Sequence, residues 1–559
     1  MAAKVRLRPW QKRALDRLAA ADTPDFLAVA TPGAGKTTFA LCAAVQSLHD
    51  HPGRRLVVVA PTSHLKLQWA DAAGRVGLHL EPGWQPSGGR LPADVHGIVT
   101  TYQQVASNPD AFRSLAASSM VVLDEIHHAG DERAWGEAVR QAFEGAPRRL
   151  SLSGTPFRSD TRAIPFVRYV GDEAVPDFEY GYADALGDGR VVRPVYFPRI
   201  NGFMEWIAPD GSAQAAAFDD PLDRTRAAQR LRTALSLEGE WLPTVLLQAN
   251  ERLAALRRSQ PDAGGLVIAA DQDHAQGIAD LLRHRCGVRA TVAVSDDPLS
   301  STRIARFAAA SDPWIVAVRM VSEGVDIPRL RVGVYATTTT TELFFRQAVG
   351  RFVRWTRGVP RQKAYLFIPD DVRLRTWATQ ITDARRHSLH KPPRDDDATA
   401  VDDGALDELR HEDDRPEQAS MFAALSAVVT GEDSSSVFDA DDAVLAQLDE
   451  LDQLDAQADG DGALDLSLPT LPGARTGGEA VGGAGGRSGP ASPDPRRRRA
   501  ELREANAKLV QDLVWATGMG HAQVNGRLNH LVGVRRIDEA TIDQLRNRVQ
   551  QAKRWLATL

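Results

Sequence analysis

Two adjacent carboxylates, Asp124 and Glu125, close the apolar run of "MVVLDEIHHAG" (120–130), and His127 and His128 follow almost at once. Acids at the end of a buried strand can hold a divalent cation and activate water. The histidines open a second possibility, a zinc site, because zinc accepts imidazole and carboxylate ligands. Upstream, "FLAVATPGAGKTTFALCAAV" runs an apolar strand through Thr31, Gly33, Ala34, Gly35, Lys36, Thr37 and Thr38 into a helix, with Ala30 where such loops usually carry their first glycine. Glycines let a backbone approach phosphate oxygens, and a helix N-terminus offers them unpaired N–H groups.

This strand–loop–helix is therefore expected to bind ATP. Lys36 would hold the β- and γ-phosphates, and the Thr37 hydroxyl would ligate Mg²⁺. Such a loop needs a strand-terminal acid on the magnesium water shell, which fits Asp124, and a base for the attacking water, which fits Glu125. A zinc site would need a third ligand that the sequence does not suggest, so Mg²⁺ is the expected ion. His127 is expected to couple this site to neighbouring elements, while His128 could equally lie at the surface.

These side chains need a frame. "FLAVA", "RLVVVA", "GIVTT", "MVVLDE" and "RRLSLSG" read as buried strands alternating with helical stretches. A second series, "GLVIAAD", "RATVAV", "PWIVAVR", "LRVGVYA" and "KAYLFIP", repeats the scheme. The alternation predicts an α/β protein with two parallel-sheet domains in tandem, at 1–186 and 264–392. Residues 187–263 read as a connector in which "RVVRPVYF" is a candidate strand and the rest a helical hairpin. Residues 393–495, acidic and then Gly/Pro/Ser-rich, read as flexible linker. Within it, "MFAALSAVV" and "AVLAQLDELDQL" are expected to form short transient or docked helices.

The net charge of −6 over 559 residues averages two unlike regions. From Asp395 to Asp465 there are 23 Asp+Glu against two Arg, which leaves 65 Lys+Arg against 50 Asp+Glu elsewhere. A basic body suits a polyanionic partner. Two cysteines, Cys42 and Cys286, exclude a disulfide framework or a cysteine zinc cluster. Without an apolar leader or a bilayer-length run, a soluble protein of a reducing cytoplasm is expected, with no membrane partner.

With both nucleotide motifs placed, the chain resembles superfamily two helicases and translocases of the DEAD/DEAH-like kind, whose core is two RecA-like domains. "LRPWQ" resembles their adenine-reading motif, which implies Gln11, helped by Arg8, at the base. "APTSHLKLQW" looks like the first strand-contacting motif, with Pro61 and Thr62 near phosphates, and "TTYQ" like a further backbone-contact motif, with Thr100 and Thr101. "SLSGTPFRSD" is similar to the coupling motif and implies Ser153 and Thr155. "LVIAADQDHA" occupies the place of the fourth motif. "VSEGVDIP" resembles the fifth, with Gly324 and Asp326 near nucleotide, and "QAVGRFVR" the sixth, with Gln347, Arg351 and Arg354. In such enzymes arginines delivered from the second domain stabilise the charge that develops on the γ-phosphate. Arg351 and Arg354, three apart, would share one helix face. The resemblance implies ATP-driven movement on nucleic acid, DNA rather than RNA from the D-E-I-H and S-G-T pattern, and a 3′-to-5′ walk. An RNA helicase, or a nucleotide-gated scaffold, is the alternative.

Residues 496–559 read as a helical module carrying 13 Lys+Arg against 6 Asp+Glu. Asp538 is the expected cap of its last helix, over Thr541 to Leu556, with Ile542, Leu545, Val549, Ala552 and Leu556 as an apolar stripe. Two roles stay open: a nucleic-acid grip through Arg535, Arg536 and Arg546, or a docking element for a partner or for the chain itself.

Overall fold

Near-continuous apolar strands need cover on both faces, which parallel sheets flanked by helices provide. The computed structural model describes residues 3–85, 91–130, 133–154, 163–171, 173–294, 297, 299–318, 327–359, 362–389, 423–429, 463–466 and 495–559. In the first lobe seven strands lie in the order Phe178–Tyr180, Asp25–Ala30, Arg148–Ser153, Ser119–Leu123, Arg55–Ala60, Gly97–Thr101 and Leu80–Glu81. Every neighbouring pair is parallel. Parallel strands all end at one edge of the sheet, and open α/β sheets bind ligands at that edge. The P-loop, Pro61–Thr62, Tyr102, Asp124–Glu125 and Gly154 each follow directly on a strand end, so they share it.

The second lobe repeats the design. Its order is Val195–Tyr196, Ala364–Pro369, Leu330–Ala336, Gly264–Ala269, Trp314–Val318 and Ala290–Ala293, with Arg199–Ile200 also paired to Ala364–Pro369. These pairs too are parallel. One buried cluster joins the lobes, holding Phe39 and Val45 of the first with Leu266 and Phe352 of the second. Among the described residues, no helix is long and apolar enough to cross a membrane.

The connector is not simply a helical hairpin. Its helices Arg224–Ala234 and Trp241–Arg257 form, but strand Gly202–Ile207 precedes them and pairs antiparallel with Ala213–Ala217. The signal was present. "GFMEWI" alternates strictly between buried and exposed, and Pro209-Asp210-Gly211 supplies turn residues, with Gly211 at φ 84°. The third strand of this sheet, Ala423–Val429, comes from the stretch expected to be helical inside the acidic linker. A seven-residue apolar run is too short to hold a helix by itself, and the open edge of 202–207 pairs with its backbone. Further on, Ala463–Leu466 pairs antiparallel with Ala3–Arg6, so the linker region contributes two strands to the fold. The other apolar piece, "AVLAQLDELDQL", lies outside the described residues.

The C-terminal module has helices Pro495–Thr517, His521–Val532 and Ile542–Ala557, closed on Val510, Leu513, Val524, Leu528 and Ala552. Thr541, not Asp538, caps the last helix, accepting from Gln544 N; Asp538 lies in a 3-10 turn before it. The expected apolar stripe is broken by wholly buried Arg548, whose guanidinium donates to the side-chain carbonyls of Asn529 (3.1 Å), Asn506 (2.9 Å) and Asn525 (2.6 Å). Three acceptors on a planar fork satisfy a charge that burial otherwise penalises. Arg535, Arg536 and Arg546 are exposed, with Arg546 paired to Asp543. The module sits on the first lobe through Arg499–Asp94 (2.7 Å) and Arg496–Asp71 (2.6 Å).

Candidate nucleotide site

The P-loop is set by its backbone. Gly33 and Gly35 take φ values of 85° and 98°, a left-handed region costly for other residues. Arg8 donates to the carbonyls of Gly33 (3.0 Å) and Ala34 (2.7 Å), Trp10 Nε1 to Ala34 O (3.1 Å), and Gln11 Nε2 to Gly35 O (2.9 Å). With these carbonyls held on one side, the planar peptides turn N–H groups to the other, where an anion can sit. Gln11 and Arg8, expected at the adenine base, are here engaged with the loop itself. Burial holds the Arg8 guanidinium below its ordinary value, with Tyr180 opposing the shift and nearby Arg354 adding to it. Thr31 N donates to Tyr180 O at 2.9 Å, and Thr37 and Thr38 lie in the first turn of the helix Lys36–Asp50.

Strand Ser119–Leu123 delivers the two acids. Glu125 adopts φ 48°, unusual for a residue with a Cβ, and this turn swings its carboxylate across the P-loop. Its Oε1 accepts from Lys36 Nζ at 2.8 Å and its Oε2 from Gly154 N at 2.9 Å. A Cβ at Gly154 would lie 2.9 Å from Lys36 Nζ, so the strand end comes close to the P-loop lysine. Burial by itself would raise the Glu125 pKa, but Lys36 and then His127 outweigh it and hold the group well below the carboxylate range. Asp124 goes the other way: burial first, then the Glu125 charge, raise it, against Lys36 and a hydrogen bond from Trp69.

His127 stands between lobes. Its Nδ1 lies 3.4 Å from Ser153 Oγ and 3.7 Å from Glu125 Oε2, while its Nε2 lies 3.2 Å from Gln347 Nε2 of the second lobe. His128 is buried beside it with ring centroids 4.5 Å apart. Arg354 reaches the P-loop, since a Cβ on Gly33 would lie 2.9 Å from its guanidinium nitrogen; one on Gly350 would lie 2.7 Å from Pro32 Cγ. The two arginines do not share a helix face. Their helix ends at Val349 with Gly350 as cap, Arg351 follows in a turn, and Arg354 bridges to Val192 in extended backbone.

Other expected positions divide. Pro61 and Thr62 are half-exposed at the N-terminus of the helix Ser63–Arg75, which Thr62 caps. Thr100 and Thr101 are only 3% and 5% exposed; the Thr100 hydroxyl donates to Gln104 Oε1 and the Thr101 hydroxyl accepts from Gln104 N, both at 3.2 Å. The Thr101 hydroxyl caps the short helix Tyr102–Ser107. Thr155, Gly324 and Asp326 lie outside the described residues. Trp69 and Tyr102 also reach the acid pair, each from inside a stretch that resembles a strand-contacting motif. A ring with one polar tip, next to an expected phosphate contact, is the signal that would have found them.

Among the described residues, no group of three or more His, Cys, Asp or Glu side chains is placed to hold a metal ion. Magnesium asks for less, one or two carboxylates beside substrate phosphates, and the oxygens of Thr37 and Asp124 suit it.

Residues 4–158 match the family described as "Type III restriction enzyme, res subunit". The chain is 48% identical over 396 residues to an uncharacterized protein of Mycobacterium tuberculosis (strain ATCC 25618 / H37Rv), covering 70% of this chain and 65% of that one. A counterpart from Mycobacterium leprae (strain TN) is 46% identical over 396 residues, 70% of this chain and 66% of that one. The match thus spans just under two thirds of these relatives' own length. Among solved structures, a fragment assigned as the HsdR subunit of a type I restriction enzyme from Vibrio vulnificus YJ016 aligns with TM-score 0.47 and 18% identity, over 66% of this chain and 65% of that one.

Proposed function

We propose that this protein is an ATP-driven DNA translocase or helicase, in which hydrolysis between two lobes moves the chain along a strand. The observation that carries this reading is Arg354, which belongs to the second lobe and lies against Gly33 of the P-loop in the first. Charge developing on a transferred phosphoryl group at that loop would meet a guanidinium that the other lobe supplies. The Gln347–His127 contact ties the same lobe to the acid pair.

Thr37 and Asp124 would hold Mg²⁺, which would supply positive charge beside the phosphates. The P-loop N–H groups and Lys36 orient the triphosphate. As Lys36 turns from Glu125 to phosphate, the carboxylate is released to accept a proton from the attacking water. Lobe closure assembles Arg354 at the site, and its loss after hydrolysis lets the lobes part, which converts turnover into movement. DNA is favoured by the D-E-I-H and S-G-T motifs and by the restriction-type family match over 4–158.

The test is ATPase activity with single-stranded DNA, duplex DNA or RNA present. Stimulation by DNA is expected. Stimulation by RNA alone would overturn the choice of polymer, and no turnover with any polymer would overturn the motor.

A further inference from the structure

The helix Ser63–Arg75 serves two ends. Thr62 and Pro61 stand at its N-terminus, at the first stretch tied by resemblance to nucleic-acid phosphates. Two turns on, buried Trp69 donates its indole Nε1–H to Asp124 Oδ2 at 2.7 Å. From the second such stretch, "TTYQ", wholly buried Tyr102 donates its hydroxyl to the Asp124 backbone carbonyl at 2.9 Å. The two stretches are also stitched together: Lys66 Nζ donates to Gln104 Oε1 at 3.2 Å, and Gln104 N donates to Thr101 Oγ1 at 3.2 Å.

We propose that Trp69 and Tyr102 are positioning residues that transmit nucleic-acid engagement to the Asp124–Glu125 pair. The idea rests on the ATP-site reading above. A helix is stiff, and Thr62 and Trp69 lie about 10 Å apart along it, so a shift at one end moves the other. An indole N–H has a single proton and no acceptor lone pair. Trp69 therefore cannot move without carrying the Asp124 carboxylate along or leaving a buried donor unpaired, at a cost of about 1–3 kcal/mol. Tyr102 acts one atom group further on. Its hydroxyl fixes the Asp124 carbonyl, the peptide that leads into Glu125 at φ 48°. One tether orients the acid expected to hold Mg²⁺, and the other orients the turn that aims the base.

The experiment measures binding, with no turnover. The affinity of a fluorescent, non-hydrolysable ATP analogue with Mg²⁺ is taken with and without a saturating single-stranded DNA oligonucleotide, for the full chain and for Trp69→Phe and Tyr102→Phe. In the unaltered chain the oligonucleotide should tighten nucleotide binding by about tenfold, within the usual range of coupling between sites. Each variant should cut that factor to below about threefold. Trp84→Phe, packed against the cluster that holds Tyr102, should keep full coupling. A merely structural role would lower the melting temperature and leave the coupling factor alone. Full coupling in both folded variants overturns the relay, and should Trp69→Phe fail to fold, Tyr102→Phe decides by itself. Absence of coupling in the unaltered chain overturns the nucleic-acid motor reading as well, so the two failures are distinguishable.

Discussion

Lys36 Nζ and Glu125 Oε1 lie 2.8 Å apart, an ion pair between the phosphate-binding lysine and the acid best placed as base. Gly154 N holds the other oxygen of the same carboxylate at 2.9 Å. Nucleotide must take Lys36 away from Glu125, so the phosphate that arrives also uncovers the base.

Glu125→Gln removes the base and weakens this ion pair without removing a phosphate ligand. Turnover should fall by about 10²- to 10⁴-fold, the usual worth of a positioned base, while ATP binding is kept or tightened. Lys36→Ala should instead weaken binding. Equilibrium binding beside steady-state turnover checks both, and normal turnover in Glu125→Gln would remove its catalytic role.

Arg354→Ala should reduce kcat by about 10³-fold or more with a smaller change in KM, because the guanidinium is needed most where charge develops. A change in KM with kcat intact would mean that Arg354 only helps nucleotide to bind.

His96 makes the first lobe sensitive to acid. It is 7% exposed, and its Nδ1 accepts from His79 N at 2.9 Å, which needs a neutral ring. Burial first, then His79 and Arg55, push its pKa down to about 4 against the pull of Asp94. The unfolded chain takes up this proton near pH 6.5, and the folded chain does so only near the depressed value. Stability is therefore complete above about pH 6.5 and is lost as pH falls toward 4, by up to about 3 kcal/mol. His96→Asn, which keeps an acceptor and cannot charge, should shrink the drop in melting temperature between pH 7 and pH 4.5; an unchanged drop would assign acid sensitivity elsewhere.

Asp94 anchors the C-terminal module. It meets Arg499 at 2.7 Å and accepts from Ile542 N at 3.0 Å, while Arg499 also donates to Ala540 O inside the module. Asp94→Asn leaves Arg499 without its charge partner and should weaken docking by about 1–3 kcal/mol. The more exposed pair Arg496–Asp71 contributes about 0–1 kcal/mol, too little to hold the module alone. Faster hydrogen exchange across 495–517 in the variant is the expected readout, and exchange at the unaltered rate would show that the module is held by other contacts.

Much of the site was readable because its chemistry is local. Gly33, Gly35 and Lys36 lie in one loop, and an apolar run followed by Asp124-Glu125 announces a strand end with acids at its tip. The detailed geometry was not readable. Thr100 and Thr101 match a backbone-contact motif by type, yet Gln104 takes their hydroxyls and buries them. Arg351 and Arg354 have helical spacing, but Gly350 ends the helix first. Arg548 falls in the apolar stripe of its helix because three asparagines from two other helices converge on it, and no periodicity records that convergence.

The sequence by itself determined the two parallel-sheet lobes, the P-loop and the acid pair, because buried-strand hydrophobicity and phosphate-binding glycines act over a few neighbouring residues. Only tertiary structure decided that Ala423–Val429 is a strand, that Trp69 and Tyr102 converge on Asp124, and that Arg354 from one lobe meets Gly33 of the other. Strand pairing and hydrogen bonding across hundreds of residues depend on which edges and donors the folded chain brings within reach, and spacing along the chain carries no measure of that distance.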